Sequence, residues 1–381
     1  AGLIEPWMHK LFAWQVSKVA VREYPFGSSS IQGRRPSQED RAVGCELPGC
    51  GSKGCCSFYA VYDGHGGARA ATFCTQVMHT HLQRSSSFKA GDLAQAVRDA
   101  FAQTERDFLN RAGVEGWRDG TTAVCAVIQA GKGLGHGTLT VAHVGDSRAV
   151  ICRGGHTMSI TEDHKPDLPH ERARIETMGG FVSHIGCWRA MGVLAMSRAI
   201  GDLFLKPYVG AEPDVVTMAL TSDDEFLVLA SDGIFDVFEN DQVVHIARSA
   251  HTPESAAQQL TSAAFAAGSL DNCTAVVVAL HGYKAGEGFT SADFVPSPAE
   301  HQSPMQPPTS PGATPGLKPG LQPTPPSGAM HDFIPSPREA PLLTPLLTPL
   351  LASLLPPWSP LERDELGWRG RLAREAGQYE G

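Results

Sequence analysis

Six short runs of β-branched and aromatic residues, grouped in adjacent pairs, restrict the fold more than any other feature of this chain. They lie at 58–62, 121–128, 138–144, 149–152, 225–230 and 274–280. Turns containing glycine join the paired runs, and helical patterns fall in blocks of their own. A parallel sheet needs a crossover helix between successive strands. This order therefore predicts an α+β layered sandwich with largely antiparallel sheets. Within the helical blocks, 91–109 places Leu93, Val97, Ala100, Phe101, Thr104 and Phe108 on one face. The pattern at 170–178 stops at Gly179-Gly180. A third helix opens with Thr252 as N-cap and Pro253 in the first turn, and Gly268 closes it.

The composition changes near residue 285. Residues 296–360 are crowded with Pro, Ser, Thr and Gly, which bury too little apolar surface to offset the entropy of ordering. The expected organisation is an N-terminal amphipathic helix in 1–23, a catalytic domain in 24–285 and a disordered Pro-rich tail in 286–381. The apolar stripe Leu3, Ile4, Trp7, Met8, Leu11, Phe12 and Val16 carries the helix. Docking on the main domain is its expected role. An interfacial membrane anchor is the alternative, although few basic residues flank the stripe. The net charge of −9 excludes a general nucleic-acid binder, and no apolar run reaches the length of a membrane span. Nine cysteines, an odd number, without a secretory signal peptide predict reduced thiols in the cytoplasm or nucleus. A monomer is expected.

Chemistry gathers at the strand ends. Apolar runs lead into Asp63-Gly64-His65, Asp146-Ser147-Arg148 and Asp232-Gly233, and Asp271-Asn272 precedes the last run. A single Asp-Gly after a strand is an ordinary turn. Four such carboxylates together with Glu39-Asp40 are a different matter, because strand ends along one sheet edge converge. Clustered carboxylates repel unless hard cations neutralise them. Oxygen donors without a Cys/His pattern point to Mg²⁺ or Mn²⁺ rather than Zn²⁺. Two such ions can share a carboxylate, acidify a water and hold a phosphoryl group for in-line attack. Arg34 and Arg35 are candidates to orient the phosphate, and His65 is a candidate general acid.

The ordered set of motifs is Arg35-Pro-Ser-Gln-Glu39-Asp40, Val61-Tyr-Asp63-Gly-His65-Gly-Gly67, Asp119-Gly-Thr-Thr-Ala123, Val144-Gly-Asp146-Ser-Arg148, Asp163-His-Lys-Pro166, Leu194-Ala-Met-Ser-Arg198-Ala-Ile-Gly-Asp202, Ala230-Ser-Asp232-Gly-Ile-Phe-Asp236 and Asp271-Asn272. Over residues 28 to 282 it resembles the metal-dependent (type 2C) Ser/Thr protein phosphatases. The resemblance implies two central antiparallel sheets flanked by helices, a four-layer α-β-β-α sandwich, and phosphoprotein substrates. It also implies that Asp63 bridges two metals, that Gly64 offers a carbonyl, and that Asp232 and Asp271 complete the second site. Glu39 and Asp40 are implied as ligands partly through water, Arg35 as the phosphate-binding group and His65 as the general acid. Asp146 and Asp236 are implied for a looser third site. Arg34, one residue off the spacing, is expected to be peripheral.

The stretch 192–209 is closest in wording to plant-type members. Some of those are hormone co-receptors that use a tryptophan in the preceding flap. That position here is Ile185, with Trp188 three residues later beside Arg189, which argues against the co-receptor role. The flap, 181–191, is expected to border the active site. Cys45, Cys50, Cys55 and Cys56 are expected in a Gly-rich loop, as thiols rather than zinc ligands. His143 is expected to be a satisfied core histidine. In the tail, the near-copies at 293–298 and 332–337, of form DF[VI]PSP, are candidate docking motifs for partner proteins, with Ser297 and Ser336 as phosphorylation sites. Two alternatives to an active enzyme are a catalytically inactive relative that binds phosphoproteins as a regulatory module, and a scaffold acting through its tail. The inactive alternative would require a lost carboxylate, and every expected position is filled.

Overall fold

The six runs form the interior strands of two five-stranded antiparallel sheets. The computed structural model describes residues 24–51, 54–131 and 136–284. The expected N-terminal helix, the Pro-rich tail and its two repeats lie outside the described residues. The first sheet runs β1 (Phe26–Ile31), β15 (Cys273–Ala279), β14 (Asp224–Ala230), β8 (Arg148–Arg153) and β9 (His156–Ser159). The second runs β13 (Asp214–Ala219), β7 (Thr138–Val144), β6 (Ala123–Gln129), β3 (Gly54–Tyr62) and β2 (Arg41–Cys50).

Side chains alternate across each strand, so one face of each sheet meets the other sheet and the opposite face meets helices. Tyr59, Val61, Val124, Ala126, Ile128 and Val141 of the second sheet pack against Ile151, Leu227, Leu229, Val276 and Val278 of the first. Phe58, Ala60, Tyr62, Cys125 and Val127 face outward onto α1 (Arg69–Arg84), α2 (Ser86–Ala90) and α3 (Leu93–Glu115). Val150, Phe226, Val228, Ala275 and Val277 cover the far side. They meet α5 (Asp232–Phe235), α6 (Asn240–Arg248) and α7 (Pro253–Ala267). This is the four-layer α-β-β-α sandwich.

Local chemistry fixes the helix ends. The Thr252 hydroxyl accepts from Ser255 N at 3.0 Å in a reciprocal capping box, and Gly268 ends α7 with φ of 101°. Asp92 caps α3, whose buried face extends the expected stripe through Ala112. The run 121–128 is not one strand. Thr122 N donates to Asp63 O at 2.8 Å instead of to a ladder partner. The chain thereby leaves β5 (Gly120–Thr121), which pairs with β4 (Gly64–His65) and β12 (Ile200–Gly201), and enters β6. The cysteines at 45–56 do not sit in a loop: Cys45 and Cys50 belong to β2, Cys55 and Cys56 to β3, and the two strands are paired. His143 is buried and satisfied, its Nε2 sharing a hydrogen bond with Glu162 O at 2.7 Å.

The flap is a hairpin of β10 (Val182–Ile185) and β11 (Cys187–Ala190) above a cluster of Ile175, Val182, Met196, Leu205 and Val209. Its base is pinned by the buried carboxylate of Glu171, in α4 (Pro169–Thr177), which accepts from Arg198 at 2.5 Å and Arg174 at 2.9 Å. Burial alone would raise this carboxyl, but the hydrogen bonds from the two guanidinium groups outweigh it and hold it at about 2. The folded value lies below the unfolded one, so the stabilisation is complete above the ordinary Glu range. It is lost as pH falls from about 4.5 to about 2. Glu171→Ala leaves two guanidinium groups facing each other and is expected to cost about 3–5 kcal/mol in denaturant unfolding at pH 7. A loss below about 1 kcal/mol would show that the ion network does not hold the flap.

Candidate metal centre

Five strand ends meet along one edge of the sandwich and deliver the carboxylates there. Asp63 follows β3, Asp146 lies in the turn from β7 to β8, and Asp232 starts α5 directly after β14. Asp271 precedes β15, and Glu39 and Asp40 precede β2. They surround a cavity of about 480 Å³ whose lining includes Arg35, Glu39, Asp63, Gly64, His65, Asp146, Arg189, Asp232 and Asp271. Asp40 lies behind this lining, fully buried, and Asp236 lies outside it. Arg34 is likewise outside, with its guanidinium 5.6 Å from the centre of the Phe265 ring.

Close backbone approach shapes the floor. A Cβ at Gly64 would stand 2.7 Å from Glu39 O, and one at Gly233 would collide with the Asn272 carbonyl. Asn272 staples the entry loop in place: its Oδ1 accepts from Glu39 N at 2.8 Å, and its Nδ2 donates to Gln32 O at 2.7 Å and Ser37 O at 2.9 Å. Asp63 is held by Thr122 and Thr121, whose backbone N–H and hydroxyl donate to its carbonyl at 2.8 and 3.0 Å.

The electrostatics are those of crowded anions. Burial, then the charges of Asp232, Asp40 and Asp146, push the Asp63 carboxyl well above the usual range. Burial, then Asp146, Asp236 and Asp271, do the same to Asp232. Asp40 is raised to about 6, mainly by burial, although Ser231 donates to its Oδ2 at 2.8 Å. Asp40 Oδ1, Asp146 Oδ1 and Asp232 Oδ1 are buried without any hydrogen-bond partner. An unmet buried acceptor costs roughly 1–3 kcal/mol, and more when charged. Hard divalent cations satisfy such a donor set, so the residues fit Mg²⁺ or Mn²⁺.

Two carboxylates already have protein cations. Arg35 Nη2 stands 2.5 Å from Asp271 Oδ2, and Lys165 Nζ stands 2.5 Å from Asp146 Oδ2. Among the described residues, no three His, Cys, Asp or Glu side chains are drawn together tightly enough to form a ligand group by themselves. His65 Nε2 shares a 2.7 Å hydrogen bond with the buried Asp202, which adopts a left-handed backbone with φ of 50°. The sequence alone does not single out Asp202, Asn272 and Lys165 as site residues. All three stand inside the motifs, but their roles as buttresses depend on contacts across the fold. Of the flap residues, Arg189 reaches the cavity lining, whereas Ile185 at the hairpin turn is 60% exposed. Another cavity, of about 560 Å³, lies between α3 and 206–213; Glu105 there is matched by Lys206 at 2.5 Å, and none of its lining carboxylates is among the buried acceptors without a hydrogen-bond partner.

A family profile described as Protein phosphatase 2C matches residues 24–273. The chain belongs to the protein phosphatase 2C family. It is 41% identical over 278 residues to "Probable protein phosphatase 2C 59" of Arabidopsis thaliana, covering 72% of this chain and 85% of that protein. It is 39% identical over 293 residues to human "Protein phosphatase 1F", covering 73% of this chain and 63% of that protein. A serine-threonine phosphatase 2C from Toxoplasma gondii shares the fold with a TM-score of 0.58 and 26% identity, over 68% of this chain and 95% of that one. As a protein phosphatase 2C enzyme, the chain is a protein serine/threonine phosphatase.

Proposed function

We propose that the cavity hydrolyses phosphoserine and phosphothreonine in proteins by in-line attack of water, with two Mg²⁺ or Mn²⁺ ions as cofactors. The observation that carries this reading is the convergence of Asp63, Asp146, Asp232 and Asp271 on one cavity, with buried carboxylate oxygens that no protein donor satisfies. Asp63, the Gly64 carbonyl, Asp232 and Asp271 hold the ions, and Glu39 and Asp40 support them partly through water. Asp146 is available to a third ion, with Asp236 beyond it, only in competition with Lys165. When bound, such ions acidify water and offset the charge that develops on the phosphoryl oxygens.

The protein's own groups do the rest. Arg35, more than half exposed at the cavity mouth, swings between Asp271 and the incoming phosphate. His65 delivers a proton to the departing alkoxide while Asp202 fixes its ring. The nine cysteines are all free thiols, and among the described residues no helix is long and apolar enough to cross a membrane. Free thiols suit a reducing compartment such as the cytoplasm or nucleus.

Arg35→Ala tests the phosphate assignment. A lost charge-assisted hydrogen bond of about 1.5–3 kcal/mol predicts a KM for a phosphothreonine peptide raised at least about tenfold. Thermal stability should stay unchanged, because the side chain is exposed. An unchanged KM would remove Arg35 from the phosphate site.

A further inference from the structure

A smaller cavity, of about 280 Å³, begins at Ala68 and Arg69, immediately after Gly64-His65-Gly66-Gly67. It is lined by Ala68, Arg69, Thr72, Phe73, Gln76, Arg111 and Trp117, and no carboxylate is among them. Gly116, with φ of 69°, ends α3 and turns the chain back so that Trp117 N donates to Ala112 O at 3.0 Å. The indole then rests on an aromatic floor, 6.0 Å from Phe108, with Phe108 5.6 Å from Phe73. Two guanidinium groups flank the indole, Arg111 at 4.8 Å and Arg69 at 5.1 Å from the ring centre. Stacking of this kind orients a guanidinium and leaves its edge N–H groups free to donate.

The charges are unequal in a way that matters. Arg69 is committed to the fully buried Asp119, which also accepts from Arg69 N at 3.1 Å. Arg111 and Arg118 have no ion-pair partner among the described residues, and the Arg118 guanidinium lies 5.7 Å from the centre of the Phe204 ring. In a chain of net charge −9, uncompensated guanidinium groups beside an aromatic cavity attract anions locally against an otherwise repulsive background.

Position relates this cavity to the first. Gly66 lines the carboxylate cavity, Ala68 and Arg69 line the second, and the Arg118 carbonyl packs beside Gly66. Three residues of chain span at most about 11 Å. An extended peptide rises about 3.3 Å per residue, so the facing rims of the two cavities are no more than about three substrate residues apart. We propose that the Arg111–Trp117 cavity, with Arg118 at its edge, is a subsite for a second anionic side chain of the substrate, a phosphorylated or acidic residue two or three positions from the phosphoserine or phosphothreonine being hydrolysed. This inference rests on the phosphatase reading and gives it a substrate class: segments phosphorylated more than once, or flanked by acidic residues.

The test uses phosphothreonine peptides that differ only at a position two or three residues to either side, occupied by alanine, glutamate or phosphoserine. The wild-type protein with Mn²⁺ should favour the phosphoserine peptide over the alanine peptide by about tenfold in kcat/KM in at least one register, with glutamate between them. Arg111→Glu should abolish that preference, and Arg111→Gln should reduce it. Both should leave the alanine peptide and p-nitrophenyl phosphate turned over at wild-type rates, which also shows that the variants are folded. Absence of preference in every register, or a preference that survives Arg111→Glu, overturns the proposal. If no peptide is hydrolysed, the phosphatase reading has failed by itself. Fluorescence anisotropy of the same labelled peptides then decides the subsite: tighter binding of the phosphoserine peptide to wild type than to Arg111→Glu supports it, and equal binding refutes it.

Discussion

Asp63→Asn should lower kcat on a phosphothreonine peptide by at least about 10³-fold while making the metal-free protein more stable at neutral pH. The two effects share one cause. Asp63 is ringed by Asp232, Asp40 and Asp146, and burial together with those charges raises its carboxyl well above the ordinary range. A raised folded value means that the folded chain holds a proton the unfolded chain has released. The stability contributed is therefore present at low pH and is lost as pH rises through the folded value. Asp40 acts in the same sense, between the ordinary Asp range and about 6. In a chelator near neutral pH the wild type must either bear this repulsion or hold the proton that relieves it, and asparagine at 63 removes that cost. With ions present the balance is expected to invert: Asp63 would help to hold them, and its loss would remove several kcal/mol of transition-state stabilisation. Thermal melts in chelator and in Mn²⁺ measure both arms. The wild type should gain much from Mn²⁺ and the variant little. A variant destabilised in chelator, or one that gains as much from Mn²⁺ as the parent, would mean that Asp63 is a structural residue.

The second large effect concerns His65. Its Nε2 is tied to Asp202 at 2.7 Å, and its buried Nδ1 has no hydrogen-bond partner among the described residues, so one ring nitrogen is oriented by a carboxylate and the other is left unsatisfied. A general acid contributes about 10²–10⁴-fold, but only where the leaving group needs a proton. His65→Gln should therefore cost about 10²-fold or more in kcat on a phosphothreonine peptide, whose alkoxide is a poor leaving group. The cost on p-nitrophenyl phosphate should be small, because nitrophenolate leaves unaided. Asp202→Asn should reproduce part of the loss on the peptide by loosening the ring. Equal losses on both substrates would assign His65 to binding instead.

The sheets were legible in proportion to their burial. Runs such as 138–144 and 225–230 match β7 and β14 almost residue for residue, because an interior strand is apolar on both faces. The edge strands β1, β2, β9 and β13 carry no such run. Phe26–Ile31 is largely serine, and Asp214–Ala219 is exposed or half-exposed throughout. The helix α1 escaped for a related reason: its buried face is Ala70, Ala71, Cys74, Met78 and Leu82, mostly small or sulfur-bearing residues that make a weak stripe. At the site, Asp63, Asp146 and Asp232 announced themselves by standing next to glycine at strand ends. The groups that hold them could not. Nothing in the sequence says that Asn272 reaches back to Gln32 and Ser37, that Lys165 reaches Asp146, or that Asp202 meets His65 across 137 positions.

The central claim is that the carboxylate cavity hydrolyses phosphoserine and phosphothreonine only with divalent ions in place. Its most direct test is phosphate release from a phosphothreonine peptide by protein stripped with chelator, before and after Mn²⁺ or Mg²⁺ is restored. The account predicts no turnover in chelator and full recovery with either ion in the wild type, with none recovered by Asp232→Asn. Turnover that persists in chelator, or that fails to appear with both ions, would contradict it.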